Sequence, residues 1–171
     1  LGRDAAGNLV TRRPRGAGLS YTVISDSFAP NPATMSDRFP VPEEIARKHL
    51  QLPNLDPRIA RRAREVTRAA PGRYARARAL EEHLRSQYAY SLELEGLAGP
   101  DPLAAFLFSA RAGHCEYFAS ALAVMMRLEG IPSRLVNGYR AGDYNRIGGH
   151  WTVRQRHAHA LGSSRRPRRI E

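Results

Sequence analysis

Residues 112–140 read AGHCEYFASALAVMMRLEGIPSRLVNGYR and contain the single cysteine of the chain, Cys115, at the point where a loop should become a helix. Phe118, Ala121, Leu122, Met125 and Leu128 recur at helical spacing on one face. Gly130 supplies a C-cap and Pro132 forbids continuation, so the helix closes there. Residues 133–139 then alternate as a strand. An apolar helix feeding directly into a strand implies a central helix packed on a sheet.

Working outward, Asp56-Pro57 offers an N-cap followed by proline at the first helical position, and Ile59, Ala63 and Val66 keep a helical period to about residue 69. Pro71-Gly72 breaks that helix. Tyr74, Ala77, Leu80, Leu84 and Tyr88 predict a second amphipathic helix. Residues 88–94 alternate as a short extended segment, and Asp101-Pro102 repeats the cap-and-proline start for a short helix through Phe106 and Leu107. Downstream, 141–149 read as a turn region and 150–159 as a second strand. Before residue 42 the chain is rich in Gly, Pro, Ser and Asn, with one strand-like run at 20–25. Helices first and strands last give an α+β fold with an antiparallel sheet.

Composition narrows the function. The 171 residues suffice for one domain with a real core. Leu1 opens the chain without a charged-then-apolar leader, so it reads as an excised or processed piece. The apolar run 118–126 falls far short of the roughly 20 residues that span a bilayer, and the piece should be soluble. A net charge of +11 invites a nucleic-acid reading. Against it, Lys48 is the only lysine among 27 basic residues, and the arginines are scattered instead of gathered with aromatics on one face. Nucleic acid is therefore not expected as a partner. One cysteine excludes an internal disulfide and any CxxC knuckle, and the histidines lack metal-ligand spacing, so neither metal nor cofactor is expected.

The question becomes the reactivity of Cys115. At a helix start, free N–H groups and the helix dipole favour a thiolate, and the same amides can hold the oxyanion formed on an acyl carbon. A base is also needed, and six histidines are available. His49 and His83 read as surface residues; His114 adjoins the cysteine but points elsewhere. His157 and His159 fall on one face of the second strand and His150 on the other. Spacing leaves His157 and His159 as alternatives.

GHCEYFASALAVMMRLEGIPSRLVNGY resembles the nucleophile segment of bacterial transglutaminase-like proteins, cysteine enzymes of papain-like fold with a G-x-C-x-x-[FY]-A helix and a G-I-P-x-R-x-V-x-G strand. Residues 88–92, 101–108 and 153–160 are similar to the membrane-anchored branch, and the resemblance spans roughly 50–160. It implies Cys115 as nucleophile and His159, within Ala158-His159-Ala160, as base; His157 stands where the family commonly has an acidic residue. It implies acyl transfer or amide hydrolysis through a thioester on protein or peptide carboxamides. The domain would lie on the outer side of the cytoplasmic membrane, anchored only through segments missing from this chain. Residues 1–49 then form an arm or linker, 50–160 the core, and 161–171 an arginine-rich, solvated tail replacing the family's final strands. The family's third catalytic member, an aspartate on the next strand, has no counterpart after Ala160, so the resemblance implies impaired activity or an inactive peptide-binding module. Asp143 is the conceivable substitute. Asn145 and Gly148-Gly149 match the loop between the two strands in structural roles.

Overall fold

The computed structural model describes residues 2–3, 9–10, 37, 40–93, 97, 99–139 and 142–163. The chain divides into two compact units, Leu1–Pro30 and Asn31–Glu171. In the first, β1 (Gly2–Arg3) pairs antiparallel with β2 (Leu9–Val10). The strand-like run at 20–25 lies outside the described residues.

The second unit opens with α1 (Glu43–His49), a helix the sequence pattern did not announce. It has no buried residue, so it carries no apolar period to read. Then α2 (Pro57–Thr67) begins where expected: Asp56 accepts the Arg58 N–H at 2.8 Å and Pro57 opens the first turn. Ile59, Ala63 and Thr67 form its buried stripe. The Thr67 hydroxyl is satisfied by donating to the Ala63 carbonyl at 2.9 Å.

Gly72 adopts φ +79° at the head of α3 (Gly72–Gln87), a conformation that favours glycine, and the carboxylate of Asp37 reaches this helix start from 36 residues upstream. Asp37 accepts from the Arg73 N–H and from Arg73 Nε, each at 2.7 Å, and these bonds hold its carboxyl below the usual range. Leu80, Leu84 and Tyr88 are buried along α3 as the spacing predicts, whereas Tyr74, at the outer end of that stripe, is exposed.

His83 is not a simple surface residue. Its Nε2 is buried with no partner among the described residues, and its ring stands edge-on to Tyr88 with centroids 5.7 Å apart. Burial lowers its pKa from 6.5, and the Arg62 and Arg111 cations lower it further. Protonation is thus easier in the unfolded chain. Stability from this group is complete above pH 6.5, falls as pH drops from there toward the lowered native value, and levels off below it. Urea midpoints measured between pH 7.5 and 5 should fall less steeply for His83→Leu than for the wild type. The comparison also cancels His49, whose pKa burial likewise lowers.

Beyond α3 the chain runs through β3 (Ala89–Tyr90), α4 (Pro102–Ala105), a π-helical turn (Phe106–Ala110) and β4 (Ala112–Gly113). Asp101 caps α4 by accepting the Ala104 N–H at 2.9 Å. The π turn extends the predicted short helix and ends at Arg111, whose φ is 51°. Strands β3 and β4 pair in parallel, an addition to the expected antiparallel pattern.

The central helix α5 (Cys115–Leu128) buries Ala119, Ala121, Ala123, Met125 and Met126, with Phe118, Leu122 and Leu128 packed around the core. Apolar contact on more than one side makes it the hub of the domain. Its end is a Schellman motif: Ile131 N–H donates to the Met126 carbonyl at 2.9 Å, Gly130 N–H donates to the Arg127 carbonyl at 3.0 Å, and Gly130 takes φ +72°. Beyond Pro132, the buried Ser133 hydroxyl donates to the Ala123 carbonyl at 2.8 Å and leads into β5 (Arg134–Tyr139). The Arg127 guanidinium donates to the carbonyls of Gln51 and Ser133, each at 2.8 Å.

The expected second strand, 150–159, is divided. β6 (Asp143–Asn145) and β7 (His150–Thr152) make a hairpin inside what reads as a turn region plus strand. Asn145 Oδ1 accepts from the N–H groups of Ile147 and Gly148 at 3.0 Å, which fixes the turn. A 3-10 turn (Gln155–His157) follows, and then β8 (Ala158–Ser163) pairs antiparallel with β5. The division has a local cause: Arg154 and Arg156 both donate to the Asp143 carboxylate across the hairpin, drawing 154–157 out of extended geometry.

Leu161, Gly162 and Ser163 belong to β8, opposite Val136, Leu135 and Arg134, so the solvated tail does not begin at residue 161. A Cβ at Gly162 would lie 3.2 Å from the Ala119 carbonyl oxygen, and this close approach to α5 needs a residue with little apolar signal. Residues 164–171 lie outside the described set. Among the described residues, no helix is long and apolar enough to cross a membrane. Helices stacked on short strands make the fold α+β.

Candidate active site

The sequence Gly113-His114-Cys115 is pressed against aromatic rings. A Cβ at Gly113 would meet Phe106 and Tyr117 side-chain atoms at 3.2 Å, a tight fit that glycine relieves. Phe106 lies tilted against Tyr88 (centroids 5.1 Å) and Tyr117 (5.7 Å) and edge-on to Phe118 (5.1 Å), forming a wall behind the helix start. Cys115 is the first residue of α5 and half-buried.

His114 occupies the N-cap position. Its Nδ1 accepts the Glu116 N–H at 3.3 Å, and its ring lies edge-on to Tyr117, centroids 5.0 Å apart. Sequence reasoning set this histidine beside the cysteine but pointing elsewhere, and missed the cap, because histidine is outside the usual N-cap set. The N–H groups of Tyr117 and Phe118 go to the His114 carbonyl. Among the described residues, the N–H of Cys115 has no acceptor, and it is the first-turn donor left for an oxyanion. A depression of about 210 Å³ is lined by His114, Glu116, Tyr117 and Ser120, without Cys115. A larger one, about 580 Å³, is lined by Leu55, Asp56, Asp101 and Val124 among others; its carboxylates cap α2 and α4, and Cys115 is not in its lining.

Cys115, Ala119 and Leu122 fall on one stripe of α5 at positions i, i+4 and i+7, and Gly162 of β8 packs on the last two. The cysteine therefore begins the stripe that β8 covers. His159 is the second residue of β8, half-buried and opposite Gly138; by strand alternation it projects from the face opposite to that of Ala160 and Gly162, the face that packs on α5. Among the described residues, no hydrogen bond joins Cys115 to His159, and no carboxylate is bonded to His159.

The other histidines are placed differently from the sequence expectation. His157 ends the 3-10 turn and does not share a strand face with His159. Its Nδ1 lies 3.0 Å from the Arg154 N–H and its Nε2 3.2 Å from Arg156 Nε. A neutral imidazole accepts at one nitrogen only, so the shorter, backbone bond fixes the tautomer and the ring serves the turn. His150, in β7, places Nδ1 3.1 Å from the Gly148 carbonyl oxygen. Asp143 is held by Arg154 and Arg156. Among the described residues, no group of three or more His, Cys, Asp or Glu is placed to hold a metal ion.

Residues 60–164 match the model of the transglutaminase-like superfamily. The chain is 33% identical over 122 residues to the uncharacterized protein YebA of Bacillus subtilis, covering 66% of this chain and 16% of that protein. It is 36% identical over 115 residues to a protein-glutamine gamma-glutamyltransferase of Pseudomonas aeruginosa, covering 66% of this chain and 17% of that one. Its structure resembles the crystal structure of the periplasmic domain of TgpA from Pseudomonas aeruginosa, with and without ethylmercury: TM-score 0.64 and 34% identity, covering 70% of this chain and 44% and 42% of those chains. The chain thus spans about a sixth of the length of these curated relatives. With the match covering α5 and both strands of the β5–β8 pair, the chain belongs to the transglutaminase-like superfamily.

Proposed function

We propose that this domain carries out cysteine-dependent acyl transfer on protein or peptide carboxamides, with Cys115 as nucleophile and His159 as base. The observation that carries it is the placement of Cys115 as the first residue of α5, with an N–H that has no acceptor among the described residues; His159 as base is carried over from the family motif. The Cys115 thiolate attacks the carboxamide carbon, and the Cys115 N–H holds the developing oxyanion. The carbon–nitrogen bond breaks, and the imidazolium of His159 protonates the departing ammonia, leaving a thioester. An amine or water then attacks the thioester, His159 takes its proton, and the thiolate is released.

His157 is committed to its own turn and Asp143 to two arginines, which supports His159 over His157 and argues against Asp143 as its partner. With no carboxylate bonded to His159 among the described residues, we assign the chain a weaker activity than a complete triad would give. A peptide-binding module without turnover is the alternative, favoured by the same observation. The similarity to a periplasmic domain supports an extracytoplasmic location.

The test is alkylation of Cys115 by iodoacetamide between pH 5 and 9. An activated pair should be alkylated faster than a free thiol at the acid end of this range and should slow in His159→Ala. Equal alkylation rates in the two proteins across the range would sink the pairing.

A further inference from the structure

We propose that His114 is a positioning residue: as N-cap of α5, it seats Cys115 on the first helical residue and leaves the Cys115 N–H as the unbonded donor of that turn. Naming Cys115 as the nucleophile rests on the reading above; the capping geometry does not. Backbone φ −90° and ψ −178° at His114 are those of an extended residue handing over to a helix. Nδ1 accepts the N–H of Glu116, the second helical residue, and the His114 carbonyl accepts the next two N–H groups. All three of these donors are consumed by one residue, and the donor that remains belongs to the cysteine itself.

The cap also assigns the chemistry of the ring. Nδ1 spends its lone pair on the Glu116 N–H, so a neutral His114 carries its proton on Nε2 and has no lone pair left to take one from Cys115. This excludes His114 as the base despite its adjacency in sequence. The edge-on contact with Tyr117, which itself lies tilted against Phe106, keeps the ring in the capping rotamer. Gly113 allows the approach behind it. Cap, ring and glycine together fix where the first turn begins.

Three variants of the full chain test the proposal through the alkylation rate of Cys115 at pH 6.5, a readout that requires no turnover. His114→Ala removes the acceptor, and His114→Leu removes it while keeping bulk against Tyr117; each should slow alkylation about fivefold, the equivalent of one lost cap. His114→Asn restores an acceptor without an imidazole and should return the rate to within about twofold of wild type. Where amine incorporation is measurable, kcat should follow the same order while KM stays constant. Wild-type alkylation in the leucine variant, or an asparagine variant as slow as leucine, would overturn the proposal. Loss of amine incorporation in every protein, wild type included, would instead count against the functional reading and leave the alkylation result standing.

Discussion

His159→Ala should lower incorporation of a dansylated amine into a glutamine-containing peptide by about two to four powers of ten, the range a positioned general acid–base group supplies. Cys115→Ala should abolish it. The two losses have different origins: without the sulfur no thioester forms, whereas without the imidazole the thiolate can still attack but ammonia must leave without a proton donor. Adding imidazole to the buffer should therefore recover part of the rate in His159→Ala and none in Cys115→Ala. Equal rates in the wild type and His159→Ala would remove His159 from the mechanism. Turnover confined to proteins that retain Cys115 would exclude the non-catalytic alternative.

Phe106→Ala should cost about 3–5 kcal/mol of folding stability, read from urea unfolding. The ring is fully buried and touches Tyr88, Tyr117 and Phe118, so its loss leaves a cavity that three other rings frame. Against a typical total of about 5–15 kcal/mol, this is a large fraction. Phe106→Leu should recover a substantial part, since it fills most of the volume. A cost under about 1 kcal/mol for the alanine variant would mean that the aromatic wall does not carry the core.

Much of this architecture is legible in the sequence wherever a strong local signal agrees with the packing. Asp56-Pro57 and Asp101-Pro102 announce helix starts because capping carboxylate and proline act within one turn. Gly130 and Pro132 announce the end of α5 for the same reason. Signals fail where the determinant is distant or unusual. The carboxylate that meets the start of α3 belongs to Asp37, far upstream, and α1 buries no residue that could set a period. The break between β7 and β8 comes from two arginines converging on Asp143, while their alternation with uncharged residues imitates a continuous strand. Gly162 is silent in sequence because its role is to have no side chain where β8 meets the Ala119 carbonyl.

The candidate site shows the same division. Cys115 at a helix start follows from the motif, and family resemblance singles out His159 where spacing leaves two histidines open. What separates those two is tertiary: His157 is drawn into a turn that only the folded hairpin creates. The cap by His114 is invisible to propensity, since histidine rarely serves there.

The guanidinium of Arg127 has a consequence for how the domain opens. It joins the carbonyls of Gln51 and Ser133, while Ser133 N–H donates to the His49 carbonyl. Three chain segments thus share one charged rivet at the end of α5 remote from Cys115. Local opening there would have to release all of them together, so this end should belong to the slowest-exchanging cooperative unit. Breathing that admits a substrate would then be confined to the cysteine end, with the Arg127 end as its fulcrum.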